Sequence, residues 1–291
     1  ISRGLVGSEM CIRDSTNYKE IKMKFSLKSL LTVATAASAL VLAGCGDKEV
    51  DVNKVKVGVM AGAEAQVAEV AAKVAKEKYN LDVELVTFTD YVTPNAALDD
   101  GSIDANAFQH KPYLDQQVKD RGYKLVTAGN SFVYPIAGYS KQVKSVDEIE
   151  DGARIAVPND PTNLGRSLLL LEQQGLIELR DGVDLLATVR DIVGNPKNIT
   201  IVELDAAQLP RSLDDVAVSI INTTYASSIN LTPERDGIFV EDKESPYVNL
   251  IVAREDNVQA ANVQNFVKAY QTDEVYEAAK DIFKGGVVKG W

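Results

Sequence analysis

The chain has 291 residues of ordinary globular composition, 45% apolar and 25% charged, which is enough for one or two cores. A formal net charge of -11, from 31 basic and 42 acidic residues, argues against a nucleic-acid surface. Cys11 and Cys45 both precede the globular part and His110 is the single histidine, so a disulfide framework, a cysteine metal site and a paired-histidine zinc motif are excluded from the fold, and neither metal nor cofactor is expected.

Residues 1–22 show no apolar period and read as a non-native leader, with translation starting at Met23. Residues 23–44 then carry lysines, a short apolar run and the sequence Leu42-Ala43-Gly44-Cys45. That order is a secretory signal with a bacterial lipobox. An apolar run of about 15 residues is too short for a bilayer, which needs about 20. Cleavage and lipidation at Cys45 are expected, with residues 45–53 as a polar tether. The protein would sit in the cell envelope, anchored to a lipid bilayer and facing the periplasm.

From residue 54 the pattern alternates. Val55 to Val59 reads as a buried strand, and Val67, Val70, Ala71, Val74 and Ala75 fall on one helical face after it. Leu81, Val83 and Leu85 alternate as a second strand, followed by a short helix at residues 95–99 and a strand at 103–108. Strands alternating with helices imply an α/β sheet covered by helices. Ligands collect at the carboxyl ends of such strands, where Tyr91, Phe108 and His110 stand.

Residues 132–139 and 247–253 read as two long apolar strands that leave and re-enter the first lobe. The predicted architecture is α/β with two lobes, two crossover strands and a ligand cleft between them. Lobe 1 is expected at 54–135 and 248–291, lobe 2 at 136–247. Within lobe 2, strands are predicted at 200–204 and 216–221, the latter ending in Asn222. Two amphipathic helices, at 258–270 and 273–283, close the chain.

The most informative stretch is RIAVPNDPTNLGRSLLLL, residues 154–171. It reads as a strand, a loop and a helix starting near Thr162, with Asp160 as N-cap and Pro161 in the first position. Such a start can bind an anion. Gly165 costs about 1 kcal/mol relative to Ala inside a helix, and Arg166 opposes the helix dipole. Both are explained if backbone approaches an anion at Gly165 and Arg166 grips it. Pairing of Arg166 with an acidic residue such as Asp160 explains the arginine equally well.

No G-x-S-x-G elbow or phosphate-cradling loop occurs, so catalysis has no support. The binding groups are Asn163 and Arg166 at the helix start, Asn222 at a strand end, and Tyr91, Phe108, His110 and Tyr134 from the other lobe or its edge. Together they suit a zwitterion with an apolar side chain.

The segments GAEAQVAEVAAKVAKEKYNLDVELVTFTDYV, IDANAFQHKPYLDQQ, FVYPIAGYS, VPNDPTNLGRSLLLL, INTTYAS and DKESPYVNLIV resemble the methionine-binding lipoproteins of the NlpA/MetQ family from about Val55 to Trp291. The resemblance implies a type II periplasmic-binding-protein fold. It also implies a role as the methionine-binding component of an ABC importer, working with permease and ATPase subunits as a monomer. The family's ligand pocket carries over onto Tyr91, Phe108, His110, Tyr134, Asn163, Arg166 and Asn222, with Tyr225 and Tyr247 as weaker candidates. Alternatives are a paralogue for another small apolar amino acid or a short methionine-containing peptide, a periplasmic enzyme, and a structural lipoprotein.

Overall fold

The computed structural model describes residues 51–242 and 246–291. The expected leader, signal segment and lipidation site at Cys45 lie outside the described residues. The chain opens with β1 (Lys54–Met60), α1 (Ala63–Tyr79), β2 (Asp82–Phe88), α2 (Thr93–Asp99), β3 (Ala105–His110), α3 (Lys111–Arg121) and the long β4 (Leu125–Val133). It continues through β5 (Ala137–Tyr139), β6 (Arg154–Pro158), α4 (Pro161–Gln173), a small hairpin of β7 (Glu178–Leu179) and β8 (Ile192–Gly194), β9 (Thr200–Leu204), α5 (Leu209–Ser212) and β10 (Val218–Ile221). Then come α6 (Thr223–Ser228), α7 (Pro233–Asp236), β11 (Gly237–Val240), β12 (Val248–Arg254), α8 (Ala261–Tyr270), α9 (Asp273–Ile282) and β13 (Val288–Lys289).

These strands form a six-stranded sheet, β13-β4-β12-β3-β1-β2, and a five-stranded sheet, β11-β5-β10-β6-β9. In the first, β1 runs parallel to β2 and β3, while β12 is antiparallel to β3 and β4. Side chains of β12 alternate: Ile251 and Ala253 join the core under α1, α8 and α9, whereas Leu250 and Val252 join the one that includes Leu98 of α2 and Leu114 of α3. Alternate residues of a strand point to opposite faces, so a sheet covered on both sides needs an unbroken apolar run. Helix α1 buries Val67, Ala71 and Val74 on that sheet and ends at Asn80, whose φ of 52° places it in the left-handed region that asparagine tolerates.

In the second sheet, β6 is parallel to β9 and β10, and β5 is antiparallel to β10 and β11. Helix α4 lays Leu164, Leu168 and Leu171 on it, against Ile155, Val157, Val218 and Ile220. Their i, i+4, i+7 spacing makes one stripe. Leu168 is fully buried there, and its truncation to alanine is expected to cost roughly 2–5 kcal/mol.

The chain passes between the sheets twice, and neither passage is the long strand expected from the sequence. Residues 132–139 break into the end of β4 and the start of β5 at Tyr134-Pro135-Ile136, because Pro135 has no N–H for a ladder. Residues 248–253 of the second expected crossover lie inside the first sheet as part of β12, and the return passage precedes them. The outgoing carbonyls are taken by side chains and backbone from beyond it. Arg166 Nη2 donates to Tyr134 O at 3.0 Å, Thr223 Oγ1 to Pro135 O at 2.5 Å and Glu241 N to Ile136 O at 3.0 Å.

At the far edge of the first sheet, β13 pairs antiparallel with β4. Gly290 N donates to Ser131 O at 3.0 Å, Asn130 Nδ2 donates to Gly290 O at 2.9 Å, and the Trp291 ring lies 5.1 Å from that of Phe132.

Candidate functional site

Helix α4 starts as its sequence dictates. Asp160 is extended (φ -74°, ψ 143°) and its Oδ1 accepts from Asn163 N at 3.0 Å, with Pro161 in the first turn. Asp160 also accepts from Thr162 Oγ1 at 3.0 Å and from Asn163 Nδ2 at 2.9 Å. The helix start therefore already holds an anion, the Asp160 carboxylate, in place of the external one expected there. Burial raises that carboxyl above its usual range, and the bonds from Asn163 and Thr162 work the other way.

Gly165 also has a different reason. A Cβ built on it would stand 2.2 Å from Leu185 O and 2.8 Å from Leu185 C, so glycine is required by backbone packing against the 180–191 loop. Arg166 does not pair with Asp160. Its Nε donates to Glu241 Oε1 at 2.8 Å, its Nη2 donates to Glu241 Oε2, and its Cζ lies 4.3 Å from the Tyr247 ring centroid. Nη1 is the guanidinium nitrogen that neither Glu241 nor Tyr134 engages.

Asn163 is the hub between lobes. Its Oδ1 accepts from Asn222 Nδ2 at 2.9 Å and contacts His110 Nε2 at 3.2 Å. His110 ends β3 and caps α3, with Nδ1 accepting from Tyr113 N at 3.1 Å. One ring nitrogen thus accepts, which assigns the proton to Nε2 and makes it the donor to Asn163. Burial, and then the charge of Arg166, pull the imidazole down to about 3, so it is neutral. Asn222 follows β10, and its Oδ1 is buried without a hydrogen-bond partner among the described residues.

These side chains close around a narrow cavity, with about 20 Å³ open to the centre of a water-sized sphere. Tyr91, Phe108, His110, Tyr134, Asn163, Arg166 and Asn222 all line it. So do Gln109, Tyr113, Thr223, Thr224 and Asn249, which the sequence reading missed. The available signal was β3, a strand buried at every position although it carries Asn106, Gln109 and His110. Its amides are satisfied by one another: Asn95 Nδ2 donates to Gln109 Oε1 at 2.8 Å and Asn106 Nδ2 to Asn95 Oδ1 at 2.9 Å.

Aromatic rings form the apolar wall. Tyr91 lies 5.9 Å from Phe108 and 4.9 Å from Tyr225, and Phe108 meets Tyr113 edge-on at 6.1 Å. Tyr225 stands behind this wall, and Tyr247 meets His110 edge-on at 5.0 Å. One end of the cavity is thus amide and guanidinium, the other aromatic, and no carboxylate among the described residues lines it. That combination suits a small zwitterion carrying an apolar side chain.

The family model described as "NlpA lipoprotein" matches residues 55–291. The "Probable D-methionine-binding lipoprotein MetQ" of Vibrio cholerae is 84% identical over 269 residues, covering 92% of this chain and all of the relative. Among solved structures, "Crystal Structure of the Methionine Binding Protein, MetQ" matches with a TM-score of 0.82 and 74% identity, covering 83% of this chain and 99% of the other. A nutrient binding protein from Burkholderia cenocepacia bound to methionine matches with a TM-score of 0.80 and 52% identity, covering 81% and 100%.

Proposed function

The chain belongs to the NlpA lipoprotein family, and from that premise we propose that it is the substrate-binding component of an ABC importer that encloses methionine between its lobes and delivers it to a membrane permease. Its fold is the mixed α/β architecture of periplasmic substrate-binding proteins. The single observation that carries the methionine reading is the cavity, polar at one end and aromatic at the other, built from both lobes.

In this reading Arg166 Nη1 meets the ligand carboxylate, and Asn222 Oδ1 accepts from the ammonium. Tyr91, Phe108, Tyr134 and His110 surround the thioether, whose sulfur favours aromatic edges. Asn163 holds His110 and Asn222 in register. Support for this division of labour comes from the one nitrogen Arg166 has left over and from the unpartnered amide oxygen of Asn222. The lobes would be residues 54–135 with 248–291 and residues 136–247. Lipidation of Cys45 would tether the protein to the membrane, facing the periplasm.

Isothermal titration of ligand-free protein with D- and L-methionine tests the proposal, and saturable binding of at least one enantiomer is expected. Leucine and a short methionine-containing peptide serve as competitors. Exclusive binding of either would replace methionine as the substrate. Mass spectrometry of membrane-extracted protein should find an acylated Cys45 at the N-terminus.

A further inference from the structure

Glu64 is a buried carboxyl close to the aromatic wall, and it has no part in the proposed methionine contacts. It lies in the first turn of α1 on the first lobe, is 2% exposed, and its Oε1 accepts from Thr224 Oγ1 of α6 on the second lobe. Thr224 lines the cavity and Glu64 does not. The next residue makes a parallel crossing, Tyr225 OH donating to Thr89 O at 3.3 Å. The titratable groups facing Glu64 are phenols: Tyr91 after β2, Tyr134 in the outgoing passage, Tyr225 on α6 and Tyr270 on α8. No cation among the described residues acts on its carboxyl. The positive end of α1 favours a charge there, but burial dominates and pushes the group up to about 8, against the bond from Thr224.

We propose that Glu64 is a positioning residue for ligand capture, holding Thr224 across the cleft as a neutral carboxylic acid, so that closure of the lobes takes up one proton from solvent. The inference rests on reading the cavity as a methionine site. Opening carries α6 away from α1 and lets water reach the carboxyl, returning it toward the ordinary value of 4.5. Between that pH and about 8 the open form lacks the proton that the closed form holds. Ligand affinity therefore falls as pH rises through this window, by up to about tenfold per unit.

Two other groups near the cavity bear on this signature. His110, held down to about 3, would release a proton on closure below its ordinary 6.5, which is the opposite sign and confines the fall in affinity to the range above about 6.5. Asp160 keeps its bonds from Thr162 and Asn163 on its own helix start, but burial raises it, so its share on closure has the same sign as that of Glu64 and is separated from it by the Glu64→Gln variant.

The test is titration of the ligand-free full chain with methionine at pH 7 in buffers of different ionisation enthalpy. With His110 releasing about a quarter of a proton at pH 7, net uptake should be about 0.7 proton per methionine, and Kd should rise roughly fourfold between pH 6.5 and 7.5. Glu64→Gln, which keeps an oxygen for Thr224, should show no net uptake and no rise of Kd with pH, whereas Glu64→Ala should bind more weakly at both pH values. Wild-type uptake below about 0.2 proton, or equal uptake in Glu64→Gln, overturns the proposal. If that variant does not fold, infrared spectroscopy of the wild type decides: methionine must bring up the carbonyl stretch of a protonated carboxyl, and no such band overturns it. Absence of methionine binding at every pH would overturn the methionine reading and this inference with it.

Discussion

Arg166 and Glu241 form a buried two-pronged ion pair that joins α4 to the passage returning toward the first lobe, their side chains 3% and 10% exposed. The arginine thus reaches the cavity with its position already fixed and its charge partly answered. Removing one member of a buried pair strands the other, at about 3–5 kcal/mol. Glu241→Ala is expected to lower Tm by roughly 6–20 °C. The double variant with Arg166→Ala should lose less than the sum of the singles, because the two act as one unit. Thermal melts of the three variants check this, and additive losses would show that the pair is not coupled.

At the polar end, Arg166→Ala and Asn222→Ala should each weaken methionine by about tenfold or more, since hydrogen bonds to charged groups are worth roughly 1.5–3 kcal/mol. Tyr91→Phe removes a hydroxyl and keeps the ring, so it should cost less. Titration at a temperature where every variant is folded is the measurement. Wild-type affinity in both alanine variants would move the carboxylate and ammonium elsewhere.

Gly165→Ala should destabilise the protein by about 1–3 kcal/mol, because the new methyl group meets the Leu185 carbonyl and one of two backbones must shift. The loss should appear in urea denaturation even when methionine is absent. Stability equal to the wild type would mean that the 180–191 loop yields freely.

The pH dependence of stability has two opposing limbs. His110, neutral in the fold down to about 3, charges in the unfolded chain below 6.5, so stability falls with acid at up to about 1.4 kcal/mol per unit. Glu64, neutral in the fold up to about 8, ionises in the unfolded chain above 4.5, so stability falls as pH rises between those values. From 4.5 to 6.5 the two contributions oppose each other. His110→Gln should therefore gain stability as pH falls from 8 to 4.5, while the wild type changes little over the acid part of that range. Urea denaturation of both, closed with saturating methionine, across pH 4.5–8 is the check, and identical profiles would remove His110 as the cause.

Much of the architecture is legible in residue patterns. The strand at 200–204 and the N-cap at Asp160 fall where turn chemistry and apolar runs indicate. Helix α3 does not, because it buries only Tyr113 and Leu114 and shows no apolar stripe. Within the site, what the sequence made readable was position: seven residues at strand ends and a helix start that converge on one cavity. The partner of Arg166 was not readable, since Glu241 lies 75 residues away and is brought near only by the returning passage. Gly165 was misread for a related reason, because the backbone that excludes a side chain there belongs to a loop with no periodic pattern.

The last strand has a practical bearing on how the protein is handled. Only two residues long, β13 gives β4 a neighbour on its outer side, where an uncovered strand would offer backbone groups to another molecule. Trimming residues 287–291, or fusing a bulky tag that pulls them off, would strip the cover from the end of β4, at Asn130, Ser131, Phe132 and Val133. Preparations shortened in this way should self-associate by edge-to-edge pairing, and an affinity handle is better placed elsewhere on the surface.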